Sequence, residues 1–212
     1  MFFSFRRFSF QMSKYRTFRF FGLCRVLLAF SLFALPTLVS IGEVRAQGQP
    51  LYSASHLLAA QRFAKAIGMT EDTVIPIRRF LLEIRATDPA NAQKLEKSIE
   101  PLVAEDALAA AFAPVIASQL SERVCDSLAT YWESPPGQKV RASQRQLALT
   151  GRYEDPVFTP KELQQNATFE QTAEFAELMR AMPAIETKIR ELSKGLKEQI
   201  QTAARAALGA RR

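Results

Sequence analysis

From residue 47 onward the chain offers one histidine, His56, one cysteine, Cys125, and twenty acids as raw material for chemistry. A single histidine is a poor basis for a metal centre or an acid–base relay, and near the start of a helix it reads as a surface or capping residue. Cys125 has no histidine other than His56 to act as its base, so a thiolate nucleophile is not set up. HExxH, paired cysteines, an EF-hand loop and a Gly-x-Ser-x-Gly elbow are all missing, and Gly137 is the only glycine between Gly68 and Gly151, which excludes phosphate-cradling runs there. Twenty carboxylates do offer pairs for glycoside hydrolysis, but Glu105-Asp106, Glu133 and Glu154-Asp155 fall where solvated helix ends and loops are expected. The reading is of a protein with no catalytic, metal or cofactor site; a hydrolase that leaves no motif is the enzymatic alternative.

The net charge of +7 would suggest a polyanion binder, but its distribution removes that reading. Of 28 basic and 21 acidic side chains, seven and one lie in residues 1–46, leaving 21 and 20, near neutrality, in the remainder. No nucleic-acid partner is expected. The basic leader, the apolar stretch from Val26 to Ile41 interrupted by Pro36, and Val44-Arg45-Ala46 form a tripartite export signal over 1–46, cleaved between Ala46 and Gln47. Met1 or Met12 serves as the start. An uncleaved anchor would need nearer 20 apolar residues, so no transmembrane segment is expected after cleavage, and the product is periplasmic or secreted. Cys125 reads as a small buried apolar residue, with an intermolecular bridge or a reactive thiol as the alternatives.

The elements that must position these groups are helical. Strand-like alternation is absent, Ala, Leu, Gln, Glu, Lys and Arg dominate, and Pro and Gly punctuate the segments. A first helix over 55–67 turns Leu57, Ala60, Ala64 and Ile67 inward and stops at Gly68. A second, capped by Thr70 or Thr73, carries Val74, Ile77, Leu81 and Ile84, with Pro76 in its first turn. Asp88-Pro89 opens a third, and Pro101 and Pro114 each break or kink the helix downstream. Ser121 caps a helix carrying Val124, Cys125, Leu128 and Tyr131 or Trp132, and Ser134-Pro135 starts another at once. After a loop over 151–157, Thr159-Pro160-Lys161-Glu162 is a capping box, and Phe169, Ala173, Ala176 and Met179 continue an apolar face. Beyond Pro183, a helix over 184–208 shows Ile185, Ile189, Leu192, Leu196, Ile200, Ala203 and Ala207, with Glu186–Arg190 as an i,i+4 pair. The expectation is a single all-α domain over 47–212, a compact bundle of about six to seven helices.

Within it, the part over 115–182 carries a motif. Leu120-Ser121-Glu122, followed by Tyr131-Trp132-Glu133-Ser134-Pro135-Pro136-Gly137-Gln138-Lys139, resembles the signature of the exported bacterial family designated domain of unknown function 2059. Leu120 stands where an aromatic is usual and Trp132 where Tyr is usual, and about 20 residues carry the likeness. The resemblance implies an all-helical periplasmic or secreted domain and no enzyme chemistry. The residues themselves read as architecture. Ser134 caps the helix that Pro135 begins, Gly137 leaves room for a neighbouring helix, and Lys139 lays its stem over an aromatic such as Trp132 while its ammonium reaches carbonyls of the previous helix. A cleft faced by Trp132 and Lys139 is the functional alternative.

Phe158-Thr159-x-Lys161 and Ala167-Thr168-Phe169 align with Leu120-Ser121-x-Arg123 and Ala129-Thr130-Tyr131 at a shift of 38 residues. This suggests two related helix–corner–helix units, the second running on past Thr172 because it lacks the Ser-Pro-x-Gly corner. The expected function is that of an exported, non-catalytic helical protein acting through a protein partner or an envelope component. A carrier holding a small apolar ligand between its helices is the other class of reading.

Overall fold

A computed structural model describes residues 51–209, and the leader with its cleavage pair Ala46-Gln47 lies outside them. The described residues form eight α-helices: α1 Ala54–Ala66, α2 Met69–Thr87, α3 Pro89–Val103, α4 Glu105–Ala117, α5 Glu122–Glu133, α6 Pro135–Thr150, α7 Pro160–Glu170 and α8 Ala173–Leu208. The all-α bundle expected from the sequence is what the chain builds.

Punctuation explains most boundaries. Gly68 takes φ +85°, the left-handed value that glycine adopts without strain, and serves both as the stop after α1 and as the N-cap of α2. Asp88 accepts from the Asn91 amide, and Pro89 comes next at N1. The capping box at Thr159 and Glu162 forms as read. Pro101 and Pro114 each sit within the last turn of their helix, which ends two or three residues later.

Two prolines fall elsewhere than expected. Because α2 starts at Met69, Pro76 lies in the helix interior and leaves the Asp72 carbonyl without its i+4 amide. Pro183 does not separate helices either: α8 begins ten residues before it, at Ala173, and runs 36 residues, about 54 Å at the α-helical rise. The break that the sequence placed at Pro183 is at Gln171-Thr172, where the Thr172 hydroxyl accepts from the Phe175 amide and caps α8.

That break resets the helical phase. Ala173 and Ala176 are exposed, and Phe175, Leu178, Met182, Ile185 and Ile189 face inward instead.

The second helix–corner–helix unit is therefore more complete than its sequence suggests. Ser121 and Thr159 are N-caps with ψ 159° and 160°, and Ser134 and Thr172 are N-caps with ψ 161° and 152°. Each pair is separated by the same 38 positions. The hydroxyls of Ser134 and Thr172 both donate to the carbonyl three residues back, of Tyr131 and Phe169 respectively.

Apolar burial divides into two clusters. The main core gathers Phe63, Phe112, Ile116, Val124, Leu128, Trp132, Phe169, Leu178, Met182 and Ile185 from α1, α4, α5, α7 and the first half of α8. Alanines at 59, 60, 64, 109 and 113 let α1 and α4 approach closely. A smaller cluster holds Leu81, Leu95 and Ile99, with Ile77, Ile84, Ile200, Ala203 and Ala204 packed around it from α2, α3 and the end of α8. The stripe on the C-terminal helix is thus largely covered by the protein's own α3, α4 and α5, with Leu192 its exposed member at 40%.

Candidate functional site

The sequence singled out the α5–α6 corner, and its glycine has the closest neighbours of any among the described residues. Trp132 is buried in the main core, with its indole Nε1 lacking a hydrogen-bond partner among the described residues. Tyr131, beside it, meets the Trp132 ring edge-on and stacks face to face on Phe169, centroids 3.5 Å apart and planes 3° off parallel. Tyr131 and Phe169 are equivalent positions of the two 38-residue units, so the units meet ring on ring.

Gly137, on the first turn of α6, is pressed against the last turn of α5. A Cβ there would lie 2.7 Å from Trp132 Cα and 2.9 Å from Trp132 C, and closer still to the Tyr131 carbonyl oxygen. The expectation that glycine is needed for close approach holds, and the neighbour is the preceding helix. Pro135 and Pro136 occupy the first turn, where a missing N–H has no intrahelical partner to lose. Ser121 and Ser134 sit at N-cap positions with extended backbone but make no side-chain cap bond. Ser134 Oγ instead donates to the Tyr131 carbonyl at 2.5 Å, tying down the end of α5.

Lys139 corrects the sequence reading in another way. Its ammonium does not bond the carbonyls of α5; it donates to Glu162 Oε2 at 2.7 Å, across to α7. The same oxygen accepts the Thr159 amide at 2.7 Å as half of the capping box. The Lys139 hydrogen bond first, then the Thr159 amide, hold the Glu162 carboxyl down to about 2. The cap that starts α7 is thereby also the clamp that joins it to α6.

A polar relay that the sequence did not reveal lies beside the stacked rings. The Tyr131 hydroxyl donates a short bond to Asn166 Oδ1, and Asn166 Nδ2 donates to Glu170 Oε1 at 2.9 Å. Asn166 is 3% exposed, so its amide is committed to these two partners. Burial pushes the Tyr131 phenol up to about 12 and also raises Glu170, so the relay stays protonated at tyrosine and serves as a buried bridge between α5 and α7. The Asn166–Glu170 spacing of four was the available signal, but mid-helix Asn followed by Glu is common on solvated faces.

The remaining chemically interesting groups are also tied into structure. His56 Nε2 donates to the Leu120 carbonyl at 2.9 Å and its ring meets Tyr52 edge-on. Cys125 is fully buried and free, and burial first, then the neighbouring acids, push its thiol up to about 12. Glu133 and Asp126 both pair with Arg62, holding α5 to α1. Glu71 takes Arg141 and Arg145, both at 3.0 Å, joining α2 to α6. Next to it, burial first, then Glu71, raise Asp72 to about 6 against the pull of Arg141. The expected Glu186–Arg190 pair does not close: Glu186 Oε1 is buried without a hydrogen-bond partner among the described residues, and Arg190 acts on it only through space.

Among the described residues no group of three or more His, Cys, Asp or Glu is placed to hold a metal ion, and no helix is long and apolar enough to cross a membrane. Comparison with models of known families, with curated proteins and with solved structures yields no match.

Proposed function

We propose that this chain is an exported helical protein that performs no catalysis and acts by contact with another protein or an envelope component. The observation that carries this reading is the employment of the motif residues. Trp132 fills the core, Ser134 and Gly137 close the α5–α6 corner, and Lys139 and Glu162 clamp α6 to α7. A residue fixed as cap, clamp or core filler is not free to bind or transform a substrate. The likeness of this stretch to the exported family of domain of unknown function 2059 and the tripartite leader support the location. Because α3, α4 and α5 cover the apolar stripe of α8, the contact surface is sought elsewhere than on the terminal helix.

The test has two readouts. N-terminal sequencing of the exported protein should begin at Gln47, and a start at Met1 or Met12 would refute cleavage. Cross-linking in intact cells, followed by denaturing purification, should trap a defined partner. Turnover of ester, peptide or glycoside substrates that a single carboxylate-to-amide substitution abolishes would overturn the non-catalytic reading.

A further inference from the structure

The two apolar clusters are joined by chain crossings that all fall at weak points of helix. In α2, Val74 packs in the main core while Ile77, Leu81 and Ile84 pack in the smaller cluster. Between them lies Pro76, which removes a backbone hydrogen bond. The second crossing is the α3–α4 joint. It is a single extended residue, Ala104 with ψ 135°, and no side chain caps α4.

The third crossing is in α8, where Leu196 still touches the main core and Ile200, Ala203 and Ala204 belong to the smaller cluster. Gly195 precedes it, and a Cβ built there would meet nothing within 4 Å. No neighbour demands glycine at that position, and its effect is to weaken the helix.

From these three junctions we propose that residues 77–103 and 197–208 form a lobe that opens as one unit while the main core stays folded. Its interior ties bind the lobe to itself: Arg85 pairs with Glu96 at 2.5 Å, Asp88 caps α3, and Ser98 Oγ reaches the Ala203 carbonyl at 3.4 Å. Across the boundary, Arg79 Nη2 donates to the Leu149 carbonyl at 3.0 Å, a partly exposed contact that an opening can break. Ala92, Leu95 and Ile99, with Leu81 beside them, make up the buried centre of the lobe, and so small a core is the first to yield. Opening would present the apolar faces of α2, α3 and the end of α8 to solvent together.

Native-state hydrogen exchange on the full chain tests this. Amides of α3, of the second half of α2 and of 200–204 should share one opening equilibrium, larger than that of α1, α4 and α5. Ile99→Ala should speed exchange in the lobe by at least about thirtyfold. Leu128→Ala, in the main core, should speed exchange in α1, α4 and α5 by at least about thirtyfold and leave the lobe unchanged, because opening the lobe keeps the main core folded. A single opening equilibrium common to all helices, or faster exchange in the lobe with Leu128→Ala, would overturn the proposal.

Discussion

Replacing Gly137 by alanine is the sharpest perturbation the corner permits, because it adds one methyl group and nothing else. The new carbon would sit 2.7 Å from Trp132 Cα and 2.9 Å from Trp132 C, against an ordinary contact of about 3.5–4.0 Å between carbons. These neighbours are backbone atoms, so no side chain can swing aside, and α5 and α6 must separate by the order of 1 Å. Overpacking of this kind costs about 1–3 kcal/mol. Separation also strains the bond from Ser134 Oγ to the Tyr131 carbonyl and the one from Gln138 Nε2 to the Trp132 carbonyl, each contributing about 1 kcal/mol. Alanine recovers about 1 kcal/mol of helix propensity. The net expectation is a loss of about 2–4 kcal/mol, on the order of 10 °C in Tm for a chain of this size. Urea and thermal unfolding of G137A beside G195A is the assay, since Gly195 has open space around it and alanine there should stabilise by up to about 1 kcal/mol. If G137A unfolds at or above the wild-type midpoint, the close approach of the two helices does not constrain the fold and the reasoning fails.

Other expectations rest on the same contacts. Asp72, raised to about 6 from 3.8, holds its proton more tightly folded than unfolded, so its contribution to stability falls as pH rises between about 4 and 6. The full shift would correspond to about 3 kcal/mol, and partial solvent access reduces this to about 1–2 kcal/mol. Asp72→Asn should remove that slope in unfolding measured from pH 4 to pH 7, and an unchanged slope would assign it to other groups. Tyr131→Phe keeps the stack on Phe169 but strands the buried Asn166 oxygen, and should lower stability by about 1–3 kcal/mol, read by urea denaturation. Thr159→Ala removes the hydroxyl that accepts the Glu162 amide and should cost about 1 kcal/mol; in a double-mutant cycle Lys139→Met and Glu162→Gln should lose less together than the sum of the two, because each removes the same ion pair, and strict additivity would contradict the clamp. Cys125 should resist iodoacetamide at pH 8 in the native protein and react only on unfolding, as measured by mass shift.

How far the fold could be read in advance depended on whether the signal was local. Asp88-Pro89, Thr159 with Glu162, and Gly68 act within one turn of themselves, and each does what its type and position imply. Pro76 and Pro183 misled because a proline penalty of a few kcal/mol is offset by packing along both flanks of the helix, here Val74 with Ile77 and Met182 with Ile185. Lys139 was recognised as structural, but its partner lies 23 positions away on α7, a distance no local pattern encodes. The Tyr131–Asn166–Glu170 relay escaped for the same reason. The corner itself was legible since proline, serine and glycine at fixed spacing leave the backbone few alternatives.

The single oxygen of Glu162 that receives both the Thr159 amide and the Lys139 ammonium has a bearing on how the molecule assembles. The first turn of α7 supplies its own acceptors, and the carboxylate among them gains its counter-charge only when α6 is alongside, so docking reinforces the start of the helix. An eleven-residue segment is too short to persist in isolation, and it is held to its neighbour by the atom that begins it. Fraying at that end would loosen the grip on α6, tying the security of a surface turn to the joining of the two duplicated units.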